Sequence, residues 1–184
     1  MTSREPDGPW VGTNAGNYIS LTNPNPGEIT IEDIATGLSN VCRFNGQLDR
    51  WYSVAEHSIH VAELVPKEYK LQALLHDATE AYICDVPTPL KHMLGDAYKN
   101  VESVLAAAIG RKFGVNLLDL SDVVRQADRV MVVSERDAFQ VLPRKWGPEY
   151  ENVLRYPGLS RRYSIPSEAR DAFLRTYRNI VQGN

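Results

Sequence analysis

The stretch Leu74-Leu75-His76-Asp77-Ala78-Thr79-Glu80 carries three side chains that can bind a metal ion or move a proton. His76 and Asp77 are neighbours, so on a helix they point about 100° apart and meet only at an ion close to the helix surface. Glu80 follows His76 by four residues and Asp77 by three, which places it on the same side of a helix. Alone, such a group is more often the solvated polar end of an apolar helix.

Two further residues that can bind a metal, His57 and Asp128, stand inside apolar helical patterns elsewhere in the chain. A carboxylate in such a pattern needs a partner, because an uncompensated buried charge is costly. A divalent cation would serve Asp128, and so would a nearby arginine. Each residue alone is more often structural, but together with His76 and Asp77 they offer four ligands from three helices. His60, one turn after His57, is a weaker candidate ligand for a second ion.

The elements that must position these residues are predicted to be helices, because apolar residues recur at helical spacing along most of the chain. The predicted helices cover residues 30–42, 53–65, 68–82, 96–113, 121–139 and 166–180. Thr30 and Ser121 suit N-cap positions. Two prolines indicate a rigid, non-helical segment over residues 85–89. About six helices and almost no alternating pattern predict an all-α bundle.

The length of 184 residues suits one domain. We place it at residues 30–184, after an N-terminal arm over residues 1–29 whose first part is rich in glycine, proline and asparagine. Residues 142–164, rich in proline and glycine, are predicted to form a long connection before the last helix.

The composition excludes several classes of partner. A net charge of −3 and an isoelectric point of about 5.8 argue against a nucleic-acid polymer as ligand. No apolar run is long enough to span a membrane. The polar N-terminal residues lack the apolar segment of a signal peptide, so we expect a cytoplasmic protein with Cys42 and Cys84 reduced. The apolar faces of so many helices favour a homodimer or a higher homo-oligomer.

Three segments carry a family resemblance: Ser53-Val54-Ala55-Glu56-His57-Ser58, Leu75-His76-Asp77-Ala78-Thr79-Glu80 and Asp85-Val86-Pro87-Thr88-Pro89-Leu90-Lys91. In this order, with Asp128 downstream, they resemble the HD superfamily of metal-dependent phosphohydrolases, which is named for a His-Asp doublet. The resemblance covers residues 30–140. It is closest to the 5′-deoxynucleotidase-like branch and to related phage and bacterial deoxynucleoside triphosphatases.

The resemblance implies one divalent metal ion, held by His57, His76, Asp77 and Asp128. Mixed imidazole and carboxylate ligands suit Mn²⁺, Co²⁺, Fe²⁺, Ni²⁺ or Zn²⁺, and Mg²⁺ also stays open. Such an ion lowers the pKa of bound water and neutralises charge on the attacked phosphate. Glu80 would orient that water or exchange its proton.

The resemblance also implies contacts to the phosphate and the base. Arg43 stands where the nucleotidase branch has an arginine that orients the phosphate, a task that suits a planar guanidinium, so we count Arg43 with Glu80 as catalytic. Phe44 stands where characterised relatives often have tryptophan. This departure concerns the surface that contacts the base, and Trp51 is the nearest tryptophan in the sequence.

Four more residues are expected to touch the substrate. Asp85 and Thr88 resemble the family's sugar-contacting segment, where a carboxylate accepts a hydrogen bond from a ribose hydroxyl. Lys91 would attract the phosphate, and Asp77 would lie beside it. The ordinary alternatives are a rigid turn between prolines for Asp85 and Thr88, and a solvated charge for Lys91.

The expected function is removal of the 5′-phosphate from deoxynucleoside monophosphates by attack of a metal-activated water, with a small nucleotide as the only ligand besides the ion. One alternative is a deoxynucleoside triphosphate triphosphohydrolase on the same scaffold. Another is a nucleotide-binding regulator without turnover, whose mark would be a broken ligand quartet or a missing Glu80; the sequence has both intact. Hydrolysis of a cyclic nucleotide or an alarmone is a further alternative.

Overall fold

Helices dominate the described chain, as the sequence predicts. The computed structural model describes residues 8–141, 146–157, 159 and 161–183. Its α-helices are α1 (Ile31–Asn40), α2 (Val54–Glu63), α3 (Lys70–Leu75), α4 (Glu80–Ile83), α5 (Thr88–Leu94), α6 (Asp96–Phe113), α7 (Asp122–Ala138) and α8 (Pro166–Gln182). Within the described ranges, β structure is confined to an antiparallel hairpin of β1 (Trp10–Gly12) and β2 (Tyr18–Ser20) and one isolated bridge. The all-α prediction is confirmed.

Helix starts follow the capping chemistry of the sequence. The hydroxyl oxygens of Thr30, Ser53 and Ser121 each accept a hydrogen bond from the backbone N–H three residues later, at 3.1, 3.2 and 3.3 Å. Each bond satisfies a donor that the first helical turn leaves without an internal partner. The predicted starts of α1, α2 and α7 are thereby confirmed.

The continuous helix predicted over residues 68–82 is wrong. A 3₁₀ turn at Lys67–Tyr69 precedes α3, and four residues separate α3 from α4. In this gap the Ala78 N–H donates to the carbonyl of Leu75 and the Glu80 N–H donates to the carbonyl of Asp77, both at 3.0 Å. These are bonds of the tighter 3₁₀ type, so the α-helical register is interrupted at the His-Asp doublet.

The segment around the two prolines also differs from the prediction. The chain is helical from Thr88 onward, and Pro89 is the second residue of α5. Proline is tolerated there because the N–H groups of a first helical turn have no helical acceptor. The predicted non-helical segment therefore extends only to Pro87.

The N-terminal hairpin is tied to the helical core. Ile19 in β2 is 0% exposed. The Ala15 N–H and the side-chain amide of Asn17 donate to the two carboxylate oxygens of Asp33 in α1, at 3.0 and 3.2 Å. Residues 1–7 of the predicted arm and residues 142–145, 158 and 160 of the predicted long connection lie outside the described residues.

Helix α2 lies at the centre of the packing, against α1, α3, α7 and α8. Nine of its ten residues are buried, Val54 through Ala62. Helix α1 also packs on α4, where Gly37 lies so close that a Cβ atom would come 2.7 Å from the carbonyl oxygen of Ala81. In the described residues, no helix combines the length and the apolar character needed to cross a membrane.

Candidate metal and substrate site

The four predicted ligands converge at one place. Nε2 of His57 lies 3.1 Å from Oδ1 of Asp128 and 3.7 Å from Oδ2 of Asp77. Nε2 of His76 lies 3.2 Å from the same oxygen of Asp77 and 3.8 Å from that of Asp128. An octahedral ion about 2.1 Å from its ligands holds adjacent ligands about 3 Å apart and opposite ones about 4 Å apart. The ligand atoms of His57, His76 and Asp128 all lie within 4.8 Å of one another, which suits a single ion. Asp77 lies beside this group, near both histidines, but is not part of it.

The hydrogen bonds of the two histidines leave their Nε2 atoms available for that ion. Nδ1 of His76 lies 2.7 Å from the carbonyl oxygen of Ala73, which can only accept, so Nδ1 is the donor. Nδ1 of His57 lies 2.6 Å from a carboxylate oxygen of Glu135. Both Nε2 atoms are buried and form no hydrogen bond. A metal-binding imidazole usually donates its Nδ1–H to an acceptor such as a carboxylate or a carbonyl and offers the lone pair of Nε2 to the ion.

The electrostatics of the cluster also fit a cation. Burial lowers the pKa of His76, but Asp77 and Asp128 outweigh burial and raise this pKa well above its ordinary value. Burial raises the pKa of Asp77, but His76 and His57 outweigh it and lower this pKa to about 2. The carboxylates therefore stay ionised and favour the positively charged form of the histidines. A divalent cation supplies that charge directly.

Glu135 in α7 is a site residue that the sequence analysis missed. Its buried carboxylate accepts hydrogen bonds from Nε of Arg43 at 3.0 Å and from the hydroxyl of Tyr52 at 2.7 Å, in addition to the contact with His57. Burial raises the pKa of Glu135, but Arg43 and His57 outweigh burial and lower it. Its signal in the sequence is the spacing of seven residues from Asp128, which places both carboxylates on one face of a helix.

Arg43 is buried and anchored at the edge of this cluster. Its Nη1 lies 3.8 Å from Oδ2 of Asp77, and its guanidinium carbon lies 5.4 Å from the ring centre of Phe44. The three residues after Arg43, namely Phe44, Asn45 and Gly46, have φ angles of 54°, 55° and 69°. The sequence predicts a turn with positive φ at Asn45-Gly46, and the structure confirms it and extends it to Phe44. Left-handed backbone is unfavourable for phenylalanine and is found where the surrounding structure enforces it.

Glu80 begins α4 beside the metal ligands. It is buried, its Oε2 has no hydrogen-bond partner, and its Oε1 lies 4.0 Å from Nζ of Lys91. Burial and the negative charges of Asp77 and Asp85 raise the pKa of Glu80 well above its ordinary value. Burial thus makes this carboxyl group hold a proton more readily than an exposed glutamate does.

A cleft of about 1070 Å³ opens over the cluster. It is lined by all the residues expected to contact substrate, together with Glu80 and one metal ligand: Arg43, Phe44, Asp77, Glu80, Asp85, Thr88, Lys91 and Asp128. The side chains of His57 and His76 are 0% and 3% exposed and are not part of the cleft lining. Lys91 forms an ion pair with Glu102 at 3.0 Å.

Two aromatic residues of the cleft were not anticipated, Trp146 and Tyr150. They belong to the turn-rich connection before α8, where a lone aromatic residue gives no periodic signal. Trp51, noted near Phe44 in the sequence, lines a separate and smaller cavity.

His60 lies apart from the cluster. Its Nε2 is 3.7 Å from Glu56 and its Nδ1 is 3.5 Å from Glu63, both in the same helix. Over the described parts of the chain, the one group of three or more possible ligand atoms within 4.8 Å of one another belongs to His57, His76 and Asp128. The structure gives no support to a second ion at His60.

Comparison with known proteins identifies relatives. No family model matches the chain. The uncharacterized protein YfdR of Escherichia coli K12 is 43% identical over 127 residues, which cover 69% of this chain and 70% of YfdR. The uncharacterized protein RCAP_rcc00048 of Rhodobacter capsulatus is 35% identical over 179 residues, which cover 89% of this chain and 91% of that protein.

Proposed function

The chain belongs to the same protein family as YfdR and RCAP_rcc00048, and for this member we propose the activity of a metal-dependent nucleotide phosphohydrolase of the HD superfamily. Its reaction is removal of the 5′-phosphate from deoxynucleoside monophosphates. The observation that carries the proposal is the convergence of two imidazole Nε2 atoms and two carboxylates beside a cleft that also holds Arg43 and Glu80.

His57, His76, Asp77 and Asp128 would hold the metal ion. When bound, the ion supplies Lewis-acid chemistry, which lowers the pKa of water and offsets the charge of the phosphate. The acceptors on both Nδ1 atoms keep the two imidazoles in the orientation that this task requires.

Arg43 orients the phosphate. The Nε atom of Arg43 donates to Glu135, which fixes the plane of the guanidinium, and its Nη1 atom lies 3.8 Å from Asp77. Two N–H groups in a fixed plane match two phosphate oxygens. Lys91, on the other side of Glu80, adds a second positive charge to the cleft.

Glu80 moves the proton. As water attacks phosphorus, a P–O bond forms, the bond to the 5′-oxygen breaks, and one proton must pass from the water to the leaving oxygen. The carboxylate of Glu80, buried beside the proposed metal ligands, accepts that proton and returns it to the 5′-oxygen. Asp85 accepts a hydrogen bond from the sugar hydroxyl, and Thr88 lines the same wall of the cleft.

The charge of the cleft favours a monophosphate over a triphosphate. Among the lining residues that the structure describes, the acidic ones are Asp77, Glu80, Asp85 and Asp128, and the lysines and arginines are Lys91 and Arg43. One divalent ion offsets the excess of two negative charges in this lining, and a phosphate dianion then adds two more. A triphosphate brings about two further negative charges, which have no matching cation in that part of the lining.

The test is product identification by mass spectrometry. Purified protein is incubated with ribo- and deoxynucleoside mono- and triphosphates, with Mn²⁺ or Co²⁺ and then with EDTA. Glu80→Gln protein, purified in the same way, controls for contaminating phosphatases. Asp171→Asn, which changes an exposed carboxylate on α8 outside the cleft lining, is the matched control.

Metal-dependent release of nucleoside and phosphate from monophosphates, lost in Glu80→Gln and kept in Asp171→Asn, is the expected result. Nucleoside and triphosphate as products would replace the proposal with a triphosphohydrolase. Bound metal and bound nucleotide without turnover would make the protein a nucleotide-binding regulator.

A further inference from the structure

Three aromatic rings line the same cleft as the predicted phosphate contacts. The ring centres of Phe44 and Trp146 are 6.4 Å apart with the planes tilted by 48°, and those of Trp146 and Tyr150 are 5.3 Å apart in an edge-to-face arrangement. None of the three residues is fully buried. Aromatic surface that stays open at a polar cleft is surface that a planar apolar group can cover.

The indole ring of Trp146 is packed against a buried arginine. The guanidinium carbon of Arg136 lies over this ring, 5.3 Å from its centre, and Nε of Arg136 donates to Asp137 at 2.8 Å. Arg136 is itself buried. A cation fixed against one face of an indole stabilises the ring and leaves the opposite face for another group.

Uncharged amide side chains line the same cleft as these rings. Asn45, Gln47 and Gln140 line the same cleft. Each side chain offers both a donor and an acceptor without charge, which is the hydrogen-bonding pattern at the edge of a nucleobase. A second phosphate group would instead require cations.

The aromatic rings adjoin the metal cluster through two consecutive residues. The guanidinium of Arg43 is 5.4 Å from the ring centre of Phe44 and 3.8 Å from the carboxylate of Asp77. A ligand with its phosphate at Arg43 therefore extends towards Phe44 and Trp146.

We propose that Trp146 is the surface on which the nucleobase of the substrate stacks, with the amide side chains facing the base edge. The inference rests on the proposed function and adds the base as the feature that the cleft recognises. The base covers the open face of Trp146 and does not enter between Phe44 and Trp146. A sandwiched ring needs about 7 Å between the flanking rings, twice a van der Waals contact, and the two centres are 6.4 Å apart.

The first test compares a deoxynucleoside monophosphate with deoxyribose 5-phosphate, which has the same sugar and phosphate but no base. Trp146→Ala should raise KM for the nucleotide about tenfold or more, the usual effect of removing one base–aromatic stack. It should leave kcat and KM for deoxyribose 5-phosphate unchanged. Trp146→Phe should restore most of the loss, and Trp10→Ala, which removes a tryptophan of the hairpin outside the cleft lining, should change neither substrate.

A second readout does not depend on turnover. In Glu80→Gln protein with Mg²⁺, nucleoside monophosphate should quench the tryptophan fluorescence, and deoxyribose 5-phosphate should not. The quenching should disappear in Trp146→Phe, although Trp10 and Trp51 are still present. If the wild type turns over neither substrate, the proposed function fails while the fluorescence still decides the stacking.

Two results would overturn the inference. One is quenching of equal size in Trp146→Phe. The other is an equal rise of KM for both substrates in Trp146→Ala, since that would indicate damage to the phosphate end of the cleft.

Discussion

The Nδ1 atom of His57 lies 2.6 Å from a carboxylate oxygen of Glu135, with both side chains fully buried. The same carboxylate receives the hydroxyl of Tyr52 and Nε of Arg43. One buried charge thus orients a proposed metal ligand and the proposed phosphate-binding arginine together. Metal binding and phosphate binding are thus linked by Glu135, which is neither a proposed metal ligand nor a proposed phosphate contact.

Replacing Glu135 should therefore weaken both functions. Glu135→Gln keeps the size of the side chain and removes its charge, so His57 and Arg43 lose their common anchor. We expect metal affinity to fall about 10–100-fold, the usual effect of losing a carboxylate that orients a metal-binding histidine. Competition with a chromophoric chelator measures it. Tyr52→Phe, which removes one of the donors and keeps the charge, should cost less; equal affinity of Glu135→Gln and wild type would exclude this orienting role.

The two histidines His76 and His60 should behave differently on substitution. His76→Asn removes an Nε2 atom that faces the carboxylates of Asp77 and Asp128, so bound metal and activity should both be lost. His60→Asn changes a ring whose acidic neighbours among the described residues are Glu56 and Glu63 in its own helix, so metal content should stay at one ion per chain. Metal analysis of both variants, with circular dichroism as a check of folding, tests the assignment. Full metal content in His76→Asn would contradict it.

Glu80→Gln should separate metal binding from turnover. The amide keeps the volume of the carboxyl but cannot take up a proton, so kcat should fall by about 10²-fold or more. Metal affinity should change little, because Glu80 is not among the four proposed ligands. A variant with the wild-type kcat would remove Glu80 from the mechanism.

Gly37→Ala should disturb the site from a distance. The added Cβ would come 2.7 Å from the carbonyl oxygen and 2.8 Å from the Cα of Ala81, so α1 and α4 must move apart. Overpacking of this kind costs about 1–3 kcal/mol, which urea unfolding measures. Because Ala81 follows Glu80, kcat should fall as well. Gly12→Ala, whose nearest contact would be 3.8 Å, is the control and should be close to neutral.

The ion pair between Arg162 and Glu63 should make stability depend on pH. Both Nη atoms of Arg162 bind the carboxylate, at 2.6 and 2.9 Å. Burial raises the pKa of Glu63, but Arg162 outweighs burial and lowers it below 4.5. A lowered folded-state pKa stabilises the fold above the unfolded value, and this stabilisation disappears as pH falls through the folded value.

Glu63→Gln should thus lower the free energy of unfolding at pH 7, by about 0.5–1 kcal/mol for a pair that is partly exposed. The difference from wild type should shrink below pH 4.5 and vanish in stronger acid. Denaturant unfolding at several pH values measures it. A difference that stays constant down to pH 3 would show that the carboxylate charge is not its source.

Local chemistry in the sequence predicts most of the helices. Capping hydroxyls at Thr30, Ser53 and Ser121 and apolar spacing give the starts of α1, α2 and α7, and the structure confirms them. The break at His76 and Asp77 was not predictable, because His76 keeps helical dihedral angles and the break consists of a change in the hydrogen-bond pattern. The start of α5 was missed because proline bars the interior of a helix but not its first turn.

The candidate site was likewise predictable only in part. Residue types and order indicate the ligand quartet. The structure groups His57, His76 and Asp128, with Asp77 beside the two histidines, and their role as metal ligands stays a prediction. Glu135 was not predicted because its hydrogen-bond partners lie 78 to 92 residues away in the sequence. Contacts between residues so far apart are decided by the packing of the helices, here of α2 against α7. The roles of the cleft residues, the boundary at residue 29, the cytoplasmic location and the homo-oligomer stay predictions.

The left-handed turn after Arg43 has a consequence for the thermodynamics of ligand binding. Two residues other than glycine hold positive φ angles there, and the Arg43 N–H closes the loop by donating to the carbonyl of Tyr52 at 3.0 Å. This strained conformation costs on the order of 1–3 kcal/mol of free energy per residue, and the cost falls on folding and not on ligand binding. A phosphate that arrives at Arg43 meets a loop with little conformational entropy left to lose, so affinity at this position depends on contacts and not on ordering.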